Sequence, residues 1–346
     1  MRVFCGVQAT GRGHLSRFAV VKDILERNGH EVFGYATGRD RPNPASGIAR
    51  FDAGPSFFVR GNSIDVPASI RHNAPVLPRL PRLVAGLAEF VRGGGFDEWI
   101  IDFEPVSARA VAREGKPFTI FDNQTLALMD LPWPDHLARK ARFMRRFVRM
   151  YYGGVSGARR ILTYSFVPLA PQLRGQVVVP PCVRAQVRAA VPAAGGHMLF
   201  YSSIGGIPPG LVEFARANPD AEIRAYFAGA DHAAGLPPNI RLPRDTGAGF
   251  LEDFASCRVY VANAGFESVA EAVALRKPVV VVPIGGQAEQ SMNAHLIRRH
   301  GIGLDAPDFS RATFEAAWRH DAPPSEAVCD WVDSGRGRLE AALLET

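Results

Sequence analysis

The segment Asn263–Ala294 reads NAGFESVAEAVALRKPVVVVPIGGQAEQSMNA and determines the fold that we predict. An Asn-Ala-Gly turn leads into a stretch with helical spacing, and the four valines Val279–Val282 follow it. A Gly-Gly loop then opens a second helical stretch. Four successive valines suit a strand buried on both faces, as in a parallel sheet covered by helices. The segment therefore predicts an α/β unit in which polar loops leave the ends of parallel strands.

The rest of the chain repeats this alternation twice over, which predicts two domains. At 346 residues with 47% hydrophobic content, the chain is long enough for two ordinary cores. The Pro-rich stretch VVVPPCVRAQVRAAVPAA at 177–194 reads as an extended linker. We predict two Rossmann-like domains that face an interdomain cleft, at 1–176 and 195–320. A helix in 321–346 could pack back on the first domain.

Composition narrows the class of protein. The start of the chain does not resemble a signal peptide, and no apolar run approaches the roughly 18 residues that a membrane span needs. We therefore expect a soluble, cytoplasmic protein. The four cysteines, Cys5, Cys182, Cys257 and Cys329, have neither metal-ligand spacing nor the density of a disulfide-rich domain, so we expect reduced thiols and no metal site.

The net charge of +6 favours an anionic partner, and the excess is uneven. Segment Arg139–Arg149 reads RKARFMRRFVR and holds six basic residues and no acid. Phe143, Phe147 and Met150 lie three or four residues apart, as on one helix face. Such a helix could be solvated and packed by its aromatic residues, or it could rest peripherally on an anionic membrane. Helical spacing of the aromatic residues disfavours a nucleic-acid stacking platform.

The loops that leave the strands of the second half carry groups suited to a nucleotide sugar. Parallel sheets bind ligands beyond the carboxyl ends of their strands. After the turn at Asn263–Gly265, the free N–H groups and dipole of the next helix would hold a pyrophosphate. Glu267 and Glu271 share a helix face, and Glu271 could accept both ribose hydroxyls, whereas Glu267 could equally just stabilise the helix start. Gln287, Glu289 and Gln290 could bind sugar hydroxyls or cap their helix.

The first half carries a candidate proton acceptor. His14 follows the first strand and its loop, where an imidazole that titrates near neutrality could take a proton from an attacking hydroxyl. The sequence Gly-Arg-Gly-His lacks the third glycine of the dinucleotide fingerprint, so we expect no nucleotide cofactor. Asp102 could orient His14 or act as the base itself, with Glu104 as its substitute. Asp122 with its neighbour Asn123 could serve the acceptor or merely form a turn.

Several motifs together resemble one family. The stretch Gln287-Ala288-Glu289-Gln290 with Asn293-Ala294 resembles the donor-site signature of two-domain GT-B glycosyltransferases. It is most similar to the group akin to the lipid-II-forming N-acetylglucosaminyl transferase and the diacylglycerol glycosyltransferases. Other motifs fit the same group in the same order: Gly11-Arg12-Gly13-His14 with Ser16-Arg17, Asp102-Phe103-Glu104-Pro105, Asp122-Asn123-Gln124 and Pro180-Pro181-Cys182-Val183-Arg184. Ala288 stands where an aromatic residue is expected, and Asn263 where Ser, His or Arg is more usual.

The resemblance implies a metal-independent, inverting transfer of a hexosyl group from a UDP- or dTDP-linked sugar, without a cofactor. The hydroxyl acceptor would be a lipid, polysaccharide or natural product. His14 would be the base with Asp102 or Glu104, and the loop around Gly11, Arg12 and Gly13, with Asp122 and Asn123, would line the acceptor side. The implied donor contacts are Gly265 and its neighbours Asn263, Ala264 and Ser268 at the diphosphate, Phe250 and Leu251 at the base, Glu271 at the ribose, and Glu289 with Gln290 at the sugar. Ser203, Gly205, Glu267 and Gln287 would also belong to the donor site.

Two other functions fit the same residues. A nucleotide-sugar epimerase of this fold would use the donor site and need no acceptor. A non-catalytic binding module could also keep the fold, because fold alone does not define function. Incubation with a nucleotide sugar alone separates the epimerase from the transferase, and ligand binding without turnover indicates the module.

Overall fold

A computed structural model describes residues 1–11, 13–39, 41–154, 157–203, 206–227, 235–243 and 247–345. Two predicted site residues, Arg12 and Gly205, lie outside the described residues. The strands are β1 (Arg2–Gln8), β2 (Glu31–Gly38), β3 (Ile48–Ala53), β4 (Phe58–Arg60), β5 (Ser63–Asp65), β6 (Glu98–Asp102), β7 (Phe118–Asp122), β8 (Ala158–Tyr164), β9 (Gln176–Val179), β10 (Met198–Ser202), β11 (Ile223–Phe227), β12 (Ile240–Arg241), β13 (Val259–Asn263), β14 (Val279–Val282) and β15 (Leu304–Asp305).

Helices follow most of these strands. They are α1 (Gly13–Arg27), α2 (Val66–Val76), α3 (Leu80–Gly93), α4 (Pro105–Arg113), α5 (Asp135–Tyr151), α6 (Ala185–Ala189), α7 (Pro209–Ala217), α8 (Ala248–Ser256), α9 (Phe266–Ala274), α10 (Ala288–Arg299), α11 (Arg311–Arg319), α12 (Glu326–Asp333) and α13 (Gly335–Leu344).

The chain divides into two compact units. The first contains Met1–Phe58, Asp65–Cys182 and the segment from Ser334 onward. The second contains Val59–Ile64 and Val183–Asp333. The main division thus falls between Cys182 and Val183, inside the stretch that we expected to be a linker.

In the first unit, the described residues form a seven-stranded parallel sheet in the order β3-β2-β1-β6-β7-β8-β9. The chain leaves β1 for α1 and β2 on one side, and leaves β6 for α4 and β7 on the other. The loops after β1 and β6 therefore diverge, which makes the carboxyl ends of these two strands the topological switch point of the sheet.

The second unit repeats this arrangement with six described strands in the order β12-β11-β10-β13-β14-β15, again all parallel. Its switch point lies between β10 and β13. All four valines of β14 are buried, as expected for a strand covered on both faces. The core beside them includes Phe200, Leu211, Phe214 and Phe314. The predicted pair of parallel α/β domains is confirmed.

The region 41–82 looks irregular in sequence but contains regular structure. Besides β3, it forms α2, the start of α3 and a small hairpin of β4 and β5. Gly61 and Asn62 at the hairpin tip have φ values of 55° and 61°. Two successive left-handed residues suit the type I′ turn of a two-residue hairpin, and Gly and Asn tolerate that conformation best. The tip belongs to the second unit although its sequence lies in the first half of the chain.

The C-terminal segment forms two helices instead of one. Helix α12 belongs to the second unit and α13 to the first. Within the first unit, Arg336 of α13 pairs with Asp23 of α1 at 2.7 Å, and Asn28 donates to Glu340 at 2.8 Å. These contacts hold α13 against α1.

Two compositional expectations concern cysteines and membrane spans. All four cysteines are buried and none is in a disulfide. Within the described part of the chain, no helix is both long and apolar enough to cross a bilayer.

Candidate functional site

At the switch point of the first sheet, an imidazole lies beside a buried carboxylate. His14 stands in the first turn of α1, and Asp102 is the last residue of β6. His14 Nδ1 lies 2.8 Å from Asp102 Oδ1. The His14 side chain is 13% exposed and that of Asp102 is 5% exposed. The structure thus brings together the two residues that we expected to act as a pair, because parallel neighbouring strands end at one edge of the sheet.

Arg17 belongs to this site, although the sequence alone gives it no role there. Its side chain is only 1% exposed, and it clamps Asp102 from two sides, with Nε 3.0 Å from Oδ2 and Nη2 2.8 Å from Oδ1. Its Nη1 donates to Asn123 Oδ1 at 2.8 Å. Burial would raise the pKa of Asp102, but the charges of Arg17 and His14 outweigh it and lower that pKa. Asp102 is therefore a fixed anion beneath the imidazole.

The imidazole tautomer depends on which of two neighbours binds Nδ1. Asp102 accepts from a protonated Nδ1, whereas Arg17 Nη2, 2.5 Å away, would donate to a deprotonated one. In the first tautomer Nε2 carries the lone pair, which is the arrangement of a general base oriented by a carboxylate.

Phe103 has a strained backbone next to this pair. Its φ is 47°, a left-handed value that is unusual for a bulky residue. Its N–H donates to the Tyr152 hydroxyl at 2.9 Å. Its ring lies parallel to the His14 imidazole, with 6.1 Å between centroids and 7° between planes. The strain therefore places an aromatic wall beside the candidate base.

An aromatic row continues from Phe103 toward solvent, and we define it as Phe103, Tyr151, Phe147 and Phe143. Successive centroids lie 4.4, 5.1 and 5.9 Å apart. The last ring, Phe143, is 60% exposed. The row joins the outer face of α5 to the His14 side chain.

Asp122 lies at the exit of β7 and is fully buried. Its Oδ1 accepts from the Thr125 N–H at 2.8 Å, and its other oxygen accepts from the Tyr152 hydroxyl. Burial raises the pKa of Asp122 to about 6 despite these bonds. Asp122 therefore supports Tyr152, and through it Phe103. The two roles that we considered for Asp122, on the acceptor side and in a turn, both stay predictions. Its hydrogen bond from the Thr125 N–H is the kind that closes a turn.

The expectation that Glu104 could replace Asp102 finds no support in its surroundings. Glu104 has no exposed surface and caps α4, where its carboxylate accepts from the N–H groups of Val106 and Ser107 at 2.9 and 2.6 Å. The hydroxyls of Thr37, at 2.7 Å, and Ser107 complete its shell. An acid directly before a helix-starting proline serves here as the N-cap, and the role of Glu104 as a substitute for Asp102 stays a prediction.

At the start of α1, Gly13 is the first residue of the helix, and Gly11 just before it is exposed with a φ of 86°. The left-handed turn at Gly11 lets the loop after β1 turn into α1. Asn123 is buried on Arg17. The acceptor-side residues that the structure describes thus gather at one edge of the first sheet.

In the second unit, the start of α9 is the candidate phosphate site. Asn263 ends β13, Ala264 is buried, and Gly265 is the N-cap residue. A Cβ on Gly265 would meet only the Ser268 hydroxyl, at 3.7 Å, so the space before the helix is open. Glu267 lies in the first turn. Open space at a helix start suits an anion, because the first main-chain N–H groups of any helix lack partners within the helix.

Glu271 lies deeper on α9 and binds Arg184 of the linker. Arg184 Nε and Nη2 lie 2.5 and 2.8 Å from the two carboxylate oxygens. The Glu271 side chain is 7% exposed and that of Arg184 is 40% exposed. Arg184 ends the Pro-Pro-Cys-Val-Arg motif, and no local sequence pattern indicates that it contacts Glu271.

The expected nucleobase residues lie on α8. The Phe250 ring contacts Tyr201, Tyr226 and Phe254 at centroid distances of 5.6, 5.0 and 5.4 Å. Leu251 follows it and is half-buried. Ser203, after β10, is exposed. Phe250 is thus part of an aromatic cluster beside the exit of β10, and its role at a nucleobase stays a prediction.

The loop between β14 and α10 is partly structural. Gln290 Oε1 accepts from the Ile284 N–H at 2.9 Å and is 7% exposed as a residue. Gln287 is the N-cap residue, and its Oε1 is buried without a hydrogen-bond partner among the described residues. Glu289 lies in the first turn and is half-buried. Of these three side chains, Gln287 retains an unused buried acceptor.

The glycines of this loop do not leave empty space. The hairpin tip fills it: Gly285 N–H donates to Asn62 O at 2.7 Å, and a Cβ on Gly285 would lie 2.9 Å from the Ser63 hydroxyl. Asn62 Oδ1 also accepts from Asn263 Nδ2 at 2.8 Å. The tip thus joins the exits of β13 and β14. No local sequence pattern marks this pairing, because Asn62 and Asn263 are 201 positions apart.

The basic segment Arg139–Arg149 lies within α5. Leu137, Ala141, Met144 and Val148 form the buried face of this helix. On the opposite side, Phe143 and Met150 are 60% and 62% exposed. The arginines that flank them are at least partly exposed as well: Arg139, Arg142, Arg146 and Arg149.

Comparisons with known proteins identify the family. The model of glycosyl transferase family 1 matches residues 1–317. A search of proteins with curated functions found no significant match. Among solved structures, the glycosyltransferase SnogD from Streptomyces nogalater aligns over 99% of this chain and 98% of its own, with a TM-score of 0.61 and 21% identity.

Two further structures show the same fold. Acinetobacter baumannii MurG aligns over 100% of this chain and 99% of its own, with a TM-score of 0.58 and 14% identity. The glycosyltransferase VinC, solved with dTDP, aligns over 99% and 98%, with a TM-score of 0.55 and 16% identity. The two parallel sheets match the GT-B fold of these proteins. The chain therefore belongs to glycosyl transferase family 1 and is a glycosyltransferase.

Proposed function

We propose that the enzyme transfers a hexosyl group from a UDP- or dTDP-linked sugar to a hydroxyl acceptor by one direct displacement. The observation that carries this proposal is the His14–Asp102 contact of 2.8 Å at the switch point of the first sheet. With Nδ1–H bonded to Asp102, Nε2 takes the proton of the attacking hydroxyl. The acceptor oxygen bonds to the anomeric carbon as the carbon–oxygen bond to the diphosphate breaks, and the electron pair leaves with the diphosphate. One displacement inverts the anomeric centre.

The donor-binding residues of this proposal all belong to the second unit. The start of α9 takes the diphosphate, and its main-chain N–H groups and dipole stabilise the charge that develops on the leaving group. This contribution supports a mechanism without a metal ion. Phe250 and Leu251 flank the base, Glu271 accepts from the ribose, and Gln287, Glu289 and Gln290 bind the sugar. The complex of VinC with dTDP supports a test with dTDP beside UDP.

The aromatic row favours an acceptor with an apolar part. Its rings run from exposed Phe143 to Phe103 beside the proposed base. A lipid or an aromatic natural product would contact these rings, whereas a polysaccharide would leave most of them without an apolar partner.

The outer face of α5 further supports contact with an anionic membrane. Exposed Phe143 and Met150 could enter the headgroup region while the flanking arginines bind anionic lipid. We expect the protein to sediment with phosphatidylglycerol vesicles and not with phosphatidylcholine vesicles. Phe143→Ser with Met150→Ser should abolish this. Ile70→Ser, at a residue of the same unit that is 63% exposed, is the matched control. Equal sedimentation with both vesicle types would contradict the membrane proposal.

The transfer reaction is tested with a panel of UDP- and dTDP-sugars and apolar alcohols or phenols as acceptors. We expect nucleotide release that depends on the acceptor, persists in EDTA and gives a product of inverted anomeric configuration by NMR. His14→Ala should remove transfer while nucleotide binding persists. Full activity of this variant, or failure of the wild type to bind any of the sugars, would contradict the proposal.

The family match favours a transferase over the epimerase and over the binding module. Incubation with a nucleotide sugar and no acceptor checks this directly. We expect no isomerised sugar in the NMR spectrum.

A further inference from the structure

Arg184 and Glu271 form a partly buried ion pair, of which only Glu271 has a role in the donor site proposed above. Arg184 follows Pro180-Pro181 in the linker and precedes α6, whereas Glu271 lies on α9. The two N–H···O contacts, 2.5 and 2.8 Å, use both carboxylate oxygens. Such a two-pronged contact fixes the carboxylate in orientation as well as position.

Burial of Glu271 makes its carboxylate costly to separate from Arg184. The Glu271 side chain is 7% exposed, so an unpaired carboxylate here would carry a large desolvation penalty. A nucleoside diphosphate that arrives at the same helix adds further negative charge. The positive charge of the Arg184 guanidinium offsets both the desolvation penalty of Glu271 and the repulsion between Glu271 and the diphosphate.

The pair leaves acceptor capacity for a ligand. Each carboxylate oxygen can accept about two hydrogen bonds, and Arg184 uses one on each. Glu271 lies six residues after the N-cap residue Gly265, which corresponds to roughly 9 Å along the helix axis. The vicinal hydroxyls of a ribose would meet two oxygens that already point in a set direction.

We infer that Arg184 is a positioning residue for the donor, which holds the Glu271 carboxylate oriented so that it can accept the ribose hydroxyls. This inference rests on the proposed function, since it assumes that the enzyme binds a nucleoside diphosphate sugar at α9. It assigns a role to the Pro-Pro-Cys-Val-Arg motif of the linker: the prolines restrict the backbone that presents Arg184.

Calorimetric titration of the full chain tests the inference with UDP and its 2′,3′-dideoxy form. If the wild type binds only dTDP, whose sugar has no 2′ hydroxyl, the comparison is dTDP with its 3′-deoxy form. We expect the wild type to prefer the hydroxylated nucleotide about tenfold or more, as hydrogen bonds to a charged group would give. In Arg184→Met this preference should fall to within about twofold, with the affinity for the dideoxy form nearly unchanged. Arg184→Lys, which keeps the charge but not the paired N–H groups, should be intermediate.

Arg276→Met is the matched control, because Arg276 also pairs with a carboxylate of the second unit, Asp333. It should keep the full preference. If Arg184→Met retains the preference, or weakens both nucleotides equally as a purely structural defect would, the inference is wrong. Glu271→Gln, should Arg184→Met fail to fold, provides the second test and must lose the same preference. Absence of any nucleotide binding by the wild type would instead refute the proposed function itself.

Discussion

The two switch points occupy the same place in their sheets but hold charge in different ways. In the first unit, Asp102 is buried beside Arg17 and His14, so side chains supply the charges. In the second unit, the start of α9 offers main-chain N–H groups and open space, and the buried acid on this helix, Glu271, is neutralised by Arg184. A buried titratable cluster suits proton transfer, and an amide-rich helix start suits an anion. The same topology can therefore serve a base and a phosphate, depending on the residues that come after each strand.

The largest expected effect separates the two regions by function. His14→Ala should lower kcat for transfer about 10³-fold, within the range of general-base removal. Affinity for UDP or dTDP should not change, because all the nucleotide contacts that we propose belong to the second unit. His136→Ala, at an exposed histidine of α5, is the control. If His14→Ala also lost affinity for the nucleotide, the proposed separation of the base in the first unit from nucleotide binding in the second would be contradicted.

The next largest expected effect is a pH dependence of the free energy of unfolding, which Asp122 gives to the first unit. Burial raises the pKa of Asp122 to about 6, above its value in an unfolded chain. Because the pKa is higher in the folded protein, protonated Asp122 stabilises the fold at pH values below its unfolded pKa of about 4. This contribution is lost as the pH rises through the pKa of the folded protein. Replacement by Asn removes that dependence. Relative to Asp122→Asn, the wild type should therefore lose about 3 kcal/mol between about pH 4 and pH 7.

Melting curves of both proteins across this pH range measure the difference. If the difference in stability between the two proteins did not change with pH, Asp122 would not titrate between about pH 4 and pH 7 as expected.

On the second unit, Gly265→Val should weaken UDP or dTDP binding about 10- to 100-fold, because a branched side chain would occupy the space before α9. Gly265→Ala adds one carbon, which meets only the Ser268 hydroxyl, and should have a smaller effect. Calorimetric titration compares the two variants. Wild-type affinity in Gly265→Val would place the phosphates elsewhere.

The smallest effect concerns the hairpin tip of the second unit. Gly285→Ala would bring a Cβ within 2.9 Å of the Ser63 hydroxyl and 3.2 Å of Asn62 O, so the tip must shift. We expect a loss of about 1 kcal/mol in the free energy of unfolding. Gly196→Ala, where no atom lies within 4 Å, is the control in chemical denaturation. Equal stability of the two variants would show that the tip packs loosely.

Sequence patterns predict the sheets well because their signal is local. The valines of β14 and the strand–loop–helix order require parallel sheets, and the rule that parallel strands end at one edge brings His14 to Asp102. The role of Arg17 is not predictable in this way, because an arginine on a helix is usually solvated and only the fold shows its burial on Asp102.

Other features depend on contacts between distant residues. The pairing of Asn62 with Gly285 joins segments from opposite ends of the chain, and no local pattern marks it. Glu104 is ambiguous for a different reason. An acid before a proline can serve chemistry or cap a helix, and only the fold shows the hydrogen bonds by which Glu104 caps α4. The bond of Glu271 to Arg184 depends in the same way on tertiary structure.

Hydrogen–deuterium exchange of the full chain, measured with and without saturating UDP or dTDP, shows whether the second unit binds the nucleotide at the exits of β10, β13 and β14, as we propose. We predict slower exchange at the amides of Gly265–Glu267 and of the loop before α10, and unchanged exchange around His14. Protection confined to the first unit, or none in either region, would contradict this proposal.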